Sequence, residues 1–191
     1  MEDTGFFVPE EKWDRLMAIH TVDENKQLIK APEMHQMFGR QKRKFFSGGG
    51  GLVSTLSDYL KFAVMLLNGG KVEDNRLIKE KTVQLMARDH VKSRDIPFMT
   101  EESVKKLGLP DHMEKLLIKS AAANGFGLGV QVKMEDGEIP AGIYGWGGFY
   151  STNYWVDPKN NLVLVFLTQI PNIQYPVRND LRVLTYKGLR S

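Results

Sequence analysis

Along the chain, apolar and polar positions fall into helical and strand-like periods. Leu56, Tyr59, Leu60, Ala63, Leu66 and Leu67 recur at the spacing of one helical face. Thr55 stands where an N-cap hydroxyl is needed, with Asp58 three positions on. Asn68-Gly69-Gly70 then offers a glycine able to take the left-handed cap conformation. The spacing predicts a helix between these two signals. A second helix, over Ile78 to His90, would bury Val83 and Met86. A third, over Val177 to Lys187, would present Val177, Leu181 and Leu184. Near the start, Pro9 opens a short amphipathic turn reaching Met17. Ala18 to Val22, the polar Asp23 to Lys26, and Gln27 to Lys30 read as a hairpin.

Further on, the period changes to two. Phe126, Leu128, Val130, Val132 and Met134 alternate with Gly127, Gly129, Gln131 and Lys133, which predicts one strand. Phe149 to Val156 predicts a second, running into the turn Asp157-Pro158-Lys159-Asn160-Asn161. Leu162 to Ile170 returns almost wholly apolar, as expected of a central strand covered on both faces. Helices come first, then an antiparallel three-stranded sheet, then a helix, which is the α+β class. Residues 91–123 are charged and weakly patterned, a variable excursion.

Composition narrows the function classes only a little. At 191 residues, 42% hydrophobic and 26% charged, the chain reads as one globular unit. A net charge of +3 is too mild to imply nucleic acid, and the dense basic run Arg40-Gln41-Lys42-Arg43-Lys44 reads as a solvated loop. The absence of cysteine excludes disulfides, thiolate metal sites and a cysteine nucleophile. No apolar run is long enough for a membrane span, and MEDTGFFVPEEKW has neither the basic start nor the apolar stretch of a signal peptide. The compartment stays undetermined.

Each candidate for chemistry has a bland counterpart. Ser47-Gly48-Gly49-Gly50-Gly51 resembles a phosphate loop, but Leu52-Val53-Ser54 follows where Gly-Lys-Ser/Thr is required, so a flexible lead into the helix explains it better. His20, His35, His90 and His112 fall at no metal-ligand spacing, and neither a metal nor another cofactor is expected. Ser103-Val104-Lys105-Lys106 has Ser-x-x-Lys spacing, yet it sits in a polar segment with no apolar stripe to bury a nucleophile. Ser151-Thr152-Asn153 matches Ser-x-Asn, which a strand explains adequately. Trp146-Gly147-Gly148-Phe149 stays open. Its glycines could mark a bulge behind an aromatic plug. Alternatively they could let an acyl group lie on bare backbone, with the Phe149 N–H facing a developing oxyanion.

Three segments taken together, SGGGGLVSTLSDYLKFAVMLLNGG, NGFGLGVQV and YGWGGFYSTNYWVDPKNNLVLVFLTQ, resemble in order and separation the C-terminal half of the serine β-lactamase-like and penicillin-binding-protein-like family. The closest likeness is to its class C-type and esterase branch, and the opening MEDTGFFVP also resembles a family segment. The resemblance implies an acyl-enzyme hydrolase acting on a small-molecule ester or β-lactam-like substrate. It makes Trp146-Gly147-Gly148 the third family motif, on the strand lining the cleft, with Phe149 giving an oxyanion N–H. The family's other two motifs, the Ser-x-x-Lys nucleophile and Tyr-x-Asn, should lie upstream of Met1. The expectation is therefore a single partial domain over residues 1–191, with no catalytic residue of its own. Its expected partner is a missing N-terminal segment, or another chain at the sheet edge. Where β-lactamases have the lysine of Lys-Thr-Gly to meet a substrate carboxylate, this chain has Trp146, which favours uncharged esters unless Arg40, Lys42 or Arg43 compensates. A non-catalytic scaffold or pseudoenzyme is the other reading.

Overall fold

The computed structural model describes residues 1–25, 27–32, 39–91, 101–106, 108, 111, 114–115, 118, 123–171 and 177–190. His35, His112 and most of the 91–123 excursion lie outside them.

A five-stranded antiparallel sheet carries the fold, in chain order: β5 (Asn124–Phe126), β6 (Gln131–Lys133), β7 (Tyr144–Gly147), β8 (Asn153–Asp157) and β9 (Leu162–Phe166). Two small hairpins precede it, β1 (His20–Val22) with β2 (Leu28–Lys30), and β3 (Lys71–Val72) with β4 (Asn75–Arg76). The first is the hairpin expected from sequence. Its turn is closed by Asp23, whose Oδ1 accepts from the N–H groups of Asn25 and Gln27, an Asx turn.

Helix α1 (Leu56–Leu67) packs on one face of the sheet, with Thr55 as its N-cap accepting from the Asp58 N–H at 3.3 Å. Ala63, Met65 and Leu66 meet Val130, Val132, Tyr144, Tyr154 and Val156 there, and the short α2 (Glu80–Met86) adds the buried Val83. α2 covers less than the expected Ile78 to His90, since Lys79 is already its N-cap and Ala87 its C-cap. A third short helix, α3 (Glu101–Lys105), buries only Val104. On the opposite face lies the C-terminal helix α4 (Val177–Arg190), where Leu181 and Tyr186 pack with Ile143, Trp155, Leu162 and Leu164. Helix, sheet and helix form three layers.

Five expectations need correction. The sheet has five strands rather than three. The alternating run 126–134 is two strands, because a turn closed by Gly127 N–H to Val130 O, with Gly129 at φ +78°, folds it into a hairpin and leaves Leu128 exposed. Period two survives a tight reversal, so alternation did not reveal the break. The second predicted strand begins at Asn153 instead of Phe149, since residues 148–151 form a turn. β9 is covered on both faces, Val163 and Val165 toward α1 and Leu162 and Leu164 toward α4, but it is the last strand of the sheet rather than a central one. Both-face coverage makes a run apolar and says nothing about its edges. Leu184, expected to face the core, is 64% exposed.

Candidate functional site

Trp146-Gly147 ends β7, and Gly148 opens the turn to β8. This differs from the expected start of a strand. On one side, β7 pairs with β8 through Trp146↔Tyr154 and Gly147↔Asn153. On the other, pairing with β6 stops at Gln131↔Gly145, because β6 begins only at Gln131. The end of β7 therefore projects past its β6 neighbour. Trp146 lies on the same side of the strand as Tyr144, is 42% exposed, and meets Phe126 edge-on at 5.4 Å.

Both glycines have a steric reason. A Cβ on Gly147 would collide with Nη1 of Arg178, and one on Gly148 with the Thr152 hydroxyl. The turn is fixed by Gly148 N–H to Thr152 O at 2.9 Å and Ser151 N–H to Gly148 O at 3.1 Å. Ser151 holds φ +64°, an uncommon conformation for a residue with a side chain. Its hydroxyl donates to Ile170 O at 2.8 Å, and the Ile170 N–H returns to Tyr150 O. Between these anchors, the Phe149 N–H has no acceptor among the described residues, and the Phe149 ring is 69% exposed.

Behind the strand end, two periods meet. Asn153, Trp155 and Asp157 repeat every second residue of β8. Arg178, Arg182 and Tyr186 repeat every fourth residue of α4. Arg182 Nη2 donates to Asn153 Oδ1 at 2.8 Å and its guanidinium lies over Trp155, 5.1 Å from the ring centre. Asn153 Nδ2 donates to Trp146 O, and the Tyr186 hydroxyl to Asp157 Oδ2 at 2.7 Å. Burial lowers the pKa of both arginines. That of Arg182 falls to about 10, burial coming first and the neighbouring Arg178 second. No carboxylate among the described residues forms an ion pair with either arginine. A cavity of about 490 Å³ adjoins Arg182, lined also by Gln131, Lys133, Gly145 and Val183.

The other sequence candidates sit elsewhere. Ser103 and Lys106 are exposed on the α3 segment, with Lys106 paired to Glu102 at 2.8 Å. Asn153 and Ser151 are buried in the roles just given. His20 Nδ1 is 2.9 Å from Ala18 O and His90 Nε2 2.9 Å from Leu85 O. Arg40 lies over Trp13, and Lys42 over Phe7. Burial pushes the Tyr144 phenol up to about 12 and raises that of Tyr154, so both stay neutral in the α1-facing core and neither suits proton abstraction near neutral pH. Sequence reasoning missed Arg178 and Arg182, although their spacing to Tyr186 was available to it.

The helix, sheet and helix layers, with the aromatic-Gly-Gly end of β7 beside a turn amide, define a mixed helix and antiparallel-sheet fold. The family model described as Beta-lactamase matches residues 1–186, and the chain belongs to that family. Among solved structures, it is similar to Simvastatin Synthase (LovD) from Aspergillus terreus, unliganded, at TM-score 0.70 and 22% identity, covering 97% of this chain and 45% of that one. It is also similar to EstCE1, a hydrolase with promiscuous acyltransferase activity, at TM-score 0.66 and 21% identity over 97% and 46%. Two curated proteins of Mycobacterium tuberculosis, Protein Rv1367c and Uncharacterized protein MT1414, are each 30% identical over 181 residues. The chain spans 40% of the length of these curated relatives.

Proposed function

We propose that this chain supplies the oxyanion-side strand of a serine hydrolase that works through an acyl-enzyme, with the Ser-x-x-Lys nucleophile and the Tyr-x-Asn motif brought by a further segment. The observation carrying this reading is the Phe149 N–H, which has no acceptor among the described residues and stands in the turn just past the projecting end of β7. A preorganised backbone donor there suits the oxyanion of a tetrahedral intermediate. Trp146 would form the aromatic wall beside it. Alone, the chain turns over no ester, because removing nucleophile and base removes most of the acceleration.

Substrate charge is better served than the sequence indicated. Trp146 brings no cation, but Arg178 reaches the backbone of Gly147 from α4 and has no carboxylate partner among the described residues. An ester whose acyl or leaving group carries a carboxylate near this strand end fits the site better than an uncharged one. The test adds the segment holding the two missing motifs to this chain and measures ester hydrolysis; a properly folded pair that gains nothing defeats the proposal.

A second reading, a non-catalytic pairing module, is favoured by β9, which among the described residues has a strand partner on only one side. An edge of this kind is a template for another strand.

A further inference from the structure

The loop from Arg40 to Leu52 presents a second surface of basic and apolar side chains. No acidic residue occurs between positions 34 and 57, while Arg40, Lys42, Arg43 and Lys44 fall within five positions. Directly after them, Phe45 and Phe46 are 77% and 64% exposed, and Leu52 is 49% exposed. These side chains are gathered on one short segment. The Phe46 ring is 4.8 Å from that of Phe6, the Lys42 ammonium is 5.0 Å from the ring centre of Phe7, and Gly5 bridges to Val53, which brings Leu52 alongside. Gly48, Gly49 and Gly50 have nothing within 4 Å of where a Cβ would stand, so the loop projects.

We propose that this surface docks on anionic lipid headgroups, with Phe45 and Phe46 entering the interface and Lys42 and Lys44 facing the phosphates and carboxylates. Stable peripheral attachment needs two signals, apolar insertion and basic attraction, and both are present within seven residues here. Charge decides the partner: an apolar protein surface would satisfy the rings but offer no counter-charge to the exposed Lys42 and Lys44. Among the described residues no helix is long and apolar enough to cross a membrane, so the contact is peripheral.

The test is flotation of the chain with phosphatidylcholine vesicles, with and without about one third phosphatidylserine. Binding should be at least about tenfold tighter to the anionic vesicles and should weaken as salt rises from about 50 to about 500 mM. Phe45→Ser, and separately Lys42→Glu with Lys44→Glu, should each lose about tenfold in affinity while keeping the parent circular dichroism spectrum. Equal binding to neutral vesicles, unaltered variants, or tighter retention on a single-stranded polynucleotide at the same salt would each overturn the proposal. So would loss of vesicle binding when the chain is joined to its complementing hydrolase segment, because Phe45 and Phe46 would then belong to that interface.

Discussion

At the scale of single residues, the glycine pair answers a packing demand at the strand end. Gly147 is bare because a guanidinium rests on it, and Gly148 because Thr152 closes the turn that positions the Phe149 amide. Gly147→Ala should therefore cost at most about 1 kcal/mol, because the group it displaces is the far end of the flexible Arg178 side chain. The cost should largely vanish when Arg178→Ala is combined with it, a coupling that urea denaturation of the four proteins would measure. Arg178→Met, in the complemented enzyme, should lower kcat/KM for a carboxylate-bearing ester by roughly tenfold to a hundredfold and leave a neutral ester nearly unchanged. A third residue concerns pH. Arg15, and after it Lys12, hydrogen-bond Asp3 at 2.8 and 2.6 Å and hold its carboxyl at about 2, below the ordinary value of 3.8. A folded-state pKa below the unfolded one contributes stability that is present above pH ~4 and lost as pH falls toward 2. The 3-10 turn Glu10–Arg15 should loosen over that window, read by Trp13 fluorescence, since Trp13 Nε1 is bound to Val8 O. None of these contacts was legible from local sequence, because each joins residues far apart or turns on a side-chain direction.

At the scale of elements, the helices were the more legible. α1 lies between the two signals read for it, Thr55 and Asn68-Gly69-Gly70, because capping chemistry is local. Strand existence was partly legible and strand ends were not: the apolar-polar alternation of the sequence runs unbroken through the turn from Gly127 to Val130, although that turn leaves Leu128 exposed. The apolar run of β9 announced two covered faces, Val163 with Val165 and Leu162 with Leu164, but an edge is a matter of backbone partners. That edge makes a prediction. The isolated chain should self-associate with rising concentration, measurable by sedimentation, and a Val163→Pro variant should reduce it by removing a β9 backbone donor. A strictly monomeric, cooperatively folding chain would contradict the pairing reading.

At the scale of the whole molecule, family membership was legible in three ordered segments, while the architecture that makes them a site was not. Only the three-layer packing brings α4 against the strand end and places Arg178 and Arg182 there, more than a hundred residues from the loop at Arg40 to Arg43; a role for Arg178 toward a substrate carboxylate belongs to the proposal. The central claim is that this chain holds the oxyanion strand and not the nucleophile. The most direct measurement mixes it with a segment carrying Ser-x-x-Lys and Tyr-x-Asn, follows hydrolysis of a short-chain p-nitrophenyl ester, and locates a fluorophosphonate adduct by intact mass. Turnover only in the mixture, with the adduct on the added segment, is the predicted result. Turnover by this chain alone, with the adduct on one of its own serines, would contradict it.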